Sequence, residues 1–304
     1  MEQQVLQSST PHHLKTRWTR VRTPSTHGMT FATRAFHLNL PRHTMRTASL
    51  HAAAAAAALA VACLSWPACA DTNIDPAGSP LWPTIQQEVF GAARTTFDSR
   101  IRITGPAFAE APMQVPIAFD ASALGKVERI VVVVDRNPIR KVLEFAPMHV
   151  RPALSFRFKL QEASAVRVAA RTQDGVWHVG TFQVDATGGG CTLPGATRQD
   201  ATWSATLNQV ESRVFPGFNG AGSRIRLRVM HPMDTGLVAG IPSFHIEQLN
   251  LLDARRQPML ELKLYEPVAE NPIFSFDLDG PVERGISVAG VDNNGNRIRA
   301  QVTR

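Results

Sequence analysis

An all-β protein, made of two immunoglobulin-like antiparallel β-sandwich domains with a short helix near the start of the first, is what this sequence predicts. Three observations carry that expectation. Short runs alternating apolar and polar residues recur between 99 and 303, the period of a strand with one buried face. Turn signals separate them, including Asn137-Pro138, Asp174-Gly175 and Asn294-Gly295, and Asp-Gly and Asn-Gly favour tight hairpin loops. A polar stretch broken by Pro194-Gly195 and Pro216-Gly217 divides the runs into two sets.

The helix is expected over 81–90, where Trp82, Ile85 and Val89 fall on one face, Pro83 suits a first turn and Gly91 a stop. Strands follow at 99–104, 113–119, 129–134, 140–145, 153–158, 165–171 and 176–184. Val131 to Val134 is unbroken rather than alternating, which predicts cover on both faces. Residues 192–222 read as a linker in which Trp203, Leu207 and Val210 are spaced for a helical turn or two. The second set spans 224–230, 245–253, 259–264, 273–279, 285–291 and 297–303. The domains are thus 71–191 and 223–304.

The formal charge of +7 first suggests a polyanion partner, but its distribution removes that reading. Seven of the 32 basic side chains lie in residues 1–70 against one of the 25 acids, leaving 25 and 24 for the remainder. A nearly neutral body argues against nucleic acid as the partner. Residues 45–70 have the form of an export signal, with Arg46, an apolar stretch over 52–64 and the small residues of Ala68-Cys69-Ala70 as the cleavage site. That stretch is short against the ~20 residues needed to span a bilayer, so no stable membrane insertion is expected after cleavage. Residues 1–44, basic and almost without acids, read as an overlong N-terminal extension. The expected location is the periplasm.

Cleavage after Ala70 would remove Cys63 and Cys69 and leave Cys191 alone. An unpaired thiol in an oxidising compartment either links two copies through a disulfide or is itself the working group. Burial as a structural cysteine is the bland alternative. Gly188, Gly189 and Gly190 precede it directly, and a glycine run reads as a flexible arm that holds the thiol out of the core.

The ordered motifs on both sides of the linker resemble a known pair of families. Trp82-Pro83, Glu88-Val89-Phe90-Gly91, Val134-Asp135-Arg136-Asn137-Pro138 and the segment 181–191 with its Gly-Gly-Cys resemble SoxY, the sulfur-carrier subunit of thiosulfate oxidation. His231-Pro232-Met233-Asp234-Thr235-Gly236, Ile241-Pro242, Glu270-Asn271-Pro272, Phe274-Ser275-Phe276 and Val291-Asp292-Asn293-Asn294-Gly295 resemble SoxZ. The whole is similar to single-chain SoxYZ-like carriers associated with quinoprotein dehydrogenases. The resemblance implies a non-catalytic carrier with Cys191 as covalent attachment point and Gly188, Gly189 and Gly190 as its arm. It implies sulfur-oxidising or quinoprotein and cytochrome enzymes as partners, and no cofactor. One departure stands out: Thr192-Leu193-Pro194 follows and the chain continues, so the thiol would sit on a loop fastened at both ends.

Other chemistries are weaker. A cysteine hydrolase needs a rigidly held histidine, and His149, His178, His231 and His245 are available, but a glycine arm opposes rigidity. Met230-His231-Pro232-Met233 offers soft ligands of a copper-binding kind, yet Pro232 suits a turn packed between domains, with Asp234 pairing to backbone donors there. Arg224, Arg226 and Arg228 alternate along one strand face, either solvated or steering an acidic partner.

Overall fold

Trp82, Ile85 and Phe90 bury one side of a helix over Trp82–Phe90 (α1). The structure, a computed structural model, describes residues 73–200, 202–217 and 222–303. The expected extension and export signal lie outside the described residues. Pro83 stands in the first turn of α1, where its missing N–H leaves no intrahelical bond unmade. Gly91 ends the helix at φ 58°, its N–H donating to the Gln87 carbonyl.

The strands before residue 192 are β1 (Thr95–Phe97), β2 (Arg102–Thr104), β3 (Phe108–Ala109), β4 (Val115–Asp120), β5 (Val127–Val134), β6 (Lys141–Ala146), β7 (Ala153–Phe158), β8 (Ser164–Thr172) and β9 (Trp177–Ala186). Those after it are β10 (Val210–Pro216), β11 (Ser223–Val229), β12 (Ile246–Leu252), β13 (Pro258–Leu264), β14 (Ile273–Leu278), β15 (Ser287–Asp292) and β16 (Arg297–Gln301). They form two sheets. The larger runs β1-β9-β8-β5-β6-β13-β12-β15-β16 with β3 also on β9, and the smaller runs β10-β11-β14-β7-β4-β2.

Both sheets cross from one half of the chain to the other. In the larger, Leu143 of β6 opposes Leu264 of β13 and Phe145 opposes Leu262; in the smaller, Leu154 of β7 opposes Phe276 of β14. Inward residues of both sheets, such as Ile130, Val132, Phe156, Leu227, Leu251 and Phe274, belong to one continuous core. The all-β sandwich expectation holds, and the halves meet edge to edge in both layers. Val131 and Val133 turn the other way and pack with Trp82, Ile85, Ala169, Trp177 and Val179 under α1. The unbroken valine run is therefore covered on both faces, as its pattern predicts.

Two features depart from the sequence reading. β1 and β3 pair with β9 in parallel; β9 comes back beside them only after the intervening strands, a crossover rather than a hairpin. The stretch expected to be a linker contains β10, in register with β11 from Val210 opposite Val229 to Pro216 opposite Ser223. Its charged outward residues disguise it; Glu211, Arg213 and Phe215 are exposed while Val210, Ser212 and Val214 are half-buried. Charges and a terminal proline are what an edge strand carries to avoid pairing with other chains.

Arg167 of β8 is fully buried, and its guanidinium is completely engaged. Asp135 takes Nε at 3.0 Å and Nη2 at 2.7 Å, Asp75 takes both terminal nitrogens, and Thr181 Oγ1 lies 3.0 Å from Nη1. The Trp82 ring lies 5.0 Å from the charge. A buried charge is tolerated only when so satisfied, and this cluster fixes the segment before α1 against β8 and β9.

Candidate functional site

The glycines before Cys191 are docked against the protein. Gly189 N–H donates to the Gln161 carbonyl at 2.8 Å and Gly190 N–H to the Leu160 carbonyl at 3.0 Å, while Leu160 N–H donates to Pro112 at 2.7 Å. Gly188 and Gly189 adopt φ of 105° and 90°, a region L side chains rarely enter. At Gly190 the reason is space: an added Cβ would lie 2.2 Å from the Pro112 oxygen and 2.5 Å from the Leu160 oxygen. Glycine serves close approach here.

Cys191 follows into the same seat and is 1% exposed. Its N–H donates to Gln161 Oε1 at 3.2 Å, its carbonyl accepts from Thr235 Oγ1 at 2.7 Å, and its Sγ lies 3.6 Å from the Lys159 carbonyl. Burial pushes the thiol from 9.0 up to about 11, partly countered by the nearby Lys159 cation. The expectation of an exposed thiol on a loose tether is therefore corrected. The docked thiol is also not available for a disulfide between two copies. A glycine run looks the same whether it provides freedom or closeness, and the groups that decide, Pro112, Leu160, Gln161 and Thr235, are remote in sequence.

Lys159 is the site residue the sequence reading missed. Its side chain is buried, and Nζ donates to the carbonyls of Val268 at 3.1 Å, Glu266 at 3.2 Å and Met233. Burial lowers its pKa from 10.5 to about 8, against the pull of Cys191, Asp234, Glu270 and Glu266. Asn137 holds the adjoining backbone, donating to the Lys159 carbonyl at 2.8 Å and accepting from Gln161 N–H at 2.8 Å. The sequence carried no warning: in Leu154-Ser155-Phe156-Arg157-Phe158-Lys159-Leu160 the lysine falls on the polar phase of the alternation, and carbonyls remote in sequence draw it inward. Lys159→Met leaves three carbonyls without a donor, at about 1 kcal/mol or more each. The expected result is a melting midpoint lower by roughly 6–12 °C, read by thermal denaturation.

The chain leaving Cys191 is held as well. Glu270 accepts from the N–H groups of Ala196 at 3.2 Å and Thr197 at 2.8 Å, and Asn271 Nδ2 donates to Thr197 Oγ1 at 2.8 Å. Arg198 Nε donates to Asp234 Oδ2 at 2.7 Å and its guanidinium lies 4.8 Å from the Trp203 ring. Asp234 thus spends its carboxylate on Arg198 and pairs with Phe244 through its backbone, which corrects the expected side-chain bonds to turn donors. His231 is fully buried, with Nδ1 accepting from Met233 N–H at 3.0 Å and burial lowering its pKa to about 4. The Met233 sulfur accepts from Ile246 N–H at 3.3 Å. Of the donors in the copper reading, His231 Nδ1 and the Met233 sulfur are already engaged. His178 pairs with Asp98 at 2.8 Å, and among the described residues no histidine is hydrogen-bonded to Cys191.

Two family models match this chain in tandem. That for "Sulfur oxidation protein SoxY" covers residues 86–191, and that for "Sulphur oxidation protein SoxZ" covers residues 218–303. The chain is a SoxY–SoxZ fusion. Both matched families are sulfur-oxidation proteins. A solved structure, the sulfur carrier protein SoxY from Chlorobium limicola f thiosulfatophilum, aligns at 20% identity and a TM-score of 0.31, over 35% of this chain and 96% of that one. No curated protein matches.

The family boundaries show how the site is divided. The SoxY match ends on Cys191 and supplies the arm, Asn137 and the Lys159–Gln161 seat. The SoxZ match begins at 218 and supplies Thr235 on the Cys191 carbonyl, the carbonyls around Lys159, and the Glu270 and Asp234 clamps. The thiol is closed in by both halves.

Proposed function

We propose that the fusion is a non-catalytic carrier that holds sulfur covalently on Cys191, closed against the SoxZ half at rest and presented when the arm lifts. The supporting observation is that this thiol, the end point of the SoxY match, is buried in a seat whose polar contacts are a few single hydrogen bonds. Each of these contributes only about 0.5–1.5 kcal/mol, so release is reversible. Release is also bounded. Cys191 lies five residues from the end of β9 and five from the Glu270-held Ala196, so its excursion is roughly 15 Å at ~3.3 Å per residue.

Once open, the thiolate attacks the sulfane sulfur of a persulfide or polysulfide. A new sulfur–sulfur bond forms at Cys191, the donor's bond breaks, and the donor leaves as a thiolate, with no external oxidant. Loading with thiosulfate instead removes two electrons, which a cytochrome-type partner accepts. The setting is the periplasm, with sulfur-oxidising, quinoprotein or cytochrome enzymes as clients. Each half is read as an immunoglobulin-like domain, the first over 71–191 and the second over 223–304 with β10 added to its edge.

The burial of Sγ favours a second reading, an assembly module for a quinoprotein dehydrogenase in which the thiol is structural. A strain carrying Cys191→Ser in place of the natural gene separates the two. The carrier reading expects sulfur-dependent respiration to fall to background while partner co-purification persists. Full respiration in that strain would leave the assembly reading standing.

A further inference from the structure

A row of directly opposed residues crosses all six strands of the smaller sheet: Arg213, Arg226, Ser275, Ser155, Ala118 and Thr104. Opposed residues share one face of a sheet, and this face looks away from the core, because their strand neighbours fill it. The middle of the row is small, so larger side chains of the flanking row stand above it. The result is a groove of about 440 Å³ bordered by Arg157, Arg226, Ile273 and Pro116. Six strands at ~4.8 Å make the row roughly 24 Å long, crossing the seam between the halves.

The charges on this face are unbalanced. Arg224 pairs with Asp277 at 2.8 Å and Arg228 with Glu211 at 3.5 Å. Arg157, Arg213 and Arg226 have no ion pair and no side-chain hydrogen bond among the described residues. Arg213 also faces Arg226 directly across the strands, a like-charge pairing that works against the sheet until an anion covers it. A solvated face has no need of this placement.

We propose that this groove docks an extended acidic segment of a partner protein. Carboxylates would meet Arg157, Arg213 and Arg226, for which bidentate pairing suits the guanidinium fork. Apolar side chains of the same segment would rest on Ile273, Pro116 and Ala118, and the Ser155 and Ser275 hydroxyls face its backbone. An extended chain fits because the floor is one residue wide. This surface does not involve the thiol, so it fails or stands separately from the carrier reading.

The test is fluorescence anisotropy on the full chain with a labelled peptide of alternating Glu and Val, beside its Lys and Val counterpart and a labelled oligonucleotide. The acidic peptide is expected to bind, to weaken as salt rises, and to lose at least tenfold in affinity with Arg213→Glu plus Arg226→Glu. Arg157→Gln alone, a milder change, is expected to weaken it severalfold. Cys191→Ser, and Arg255→Glu at an exposed site elsewhere, are expected to change nothing. Absence of peptide binding, equal binding of the oligonucleotide, or the same loss from Arg255→Glu would overturn the proposal. So would indifference to Arg157→Gln if the double variant fails to fold.

Discussion

Gly190→Ala is expected to raise the rate at which a maleimide labels Cys191 by about a hundredfold at neutral pH. The docked arm leaves no room for the added methyl, which would sit 2.2 Å from one carbonyl oxygen and 2.5 Å from another. Both are backbone atoms, so neither can turn aside as a flexible side chain would. The arm must lift, and with it go the bonds from Gly189 and Gly190 to Gln161 and Leu160, and those of Cys191 to Gln161 and Thr235. At about 0.5–1.5 kcal/mol each, four such bonds sum to ~2–6 kcal/mol, and a hundredfold change in population needs only ~2.7 kcal/mol. The global fold is expected to survive, because the arm meets the main core only through the Leu160 carbonyl and Cys191 itself belongs to neither core cluster. Labelling of Gly190→Ala at the wild-type rate, with an unchanged melting midpoint, would show that the arm is not held by this seat.

The second large effect is in the pH profile of the same reaction. The seated thiol has its pKa raised from 9.0 to about 11, so the docked state keeps a proton that the released state gives up. Docking is therefore at full strength below pH 9, weakens about tenfold per unit above it, and has lost its advantage by about 11. Since only the open thiolate reacts, the wild-type labelling rate should climb about tenfold per pH unit straight through 9, where a free thiol levels off. Gly190→Ala should level near 9. Stopped-flow labelling between pH 8 and 10 reads both curves, and a wild-type plateau near 9 would contradict a buried resting thiol.

The layers of this protein were legible because they rest on local patterns. Strand alternation, the helix face of Trp82 and Ile85, and the Asp174-Gly175 and Asn294-Gly295 turns are decided by neighbours in sequence, and the structure follows them. Cys191 stands out as a candidate from cysteine arithmetic and from the SoxY resemblance, and the SoxY match ends on it. Its surroundings do not. Whether Gly190 is a hinge or a close contact depends on Pro112 and Leu160, and whether Lys159 is solvated depends on carbonyls from residues 233, 266 and 268. β10 was missed for a related reason: an edge strand with a polar outer face has the composition of a linker until β11 is placed beside it.

The most direct measurement is intact mass of the wild type and Cys191→Ser after incubation with polysulfide and removal of excess donor. Carriage on Cys191 predicts a wild type heavier by whole sulfur atoms, reversible with a reducing thiol, and an unmodified serine variant. A wild type that stays unmodified even when Gly190→Ala has opened the arm, or an equal increment on Cys191→Ser, would contradict it.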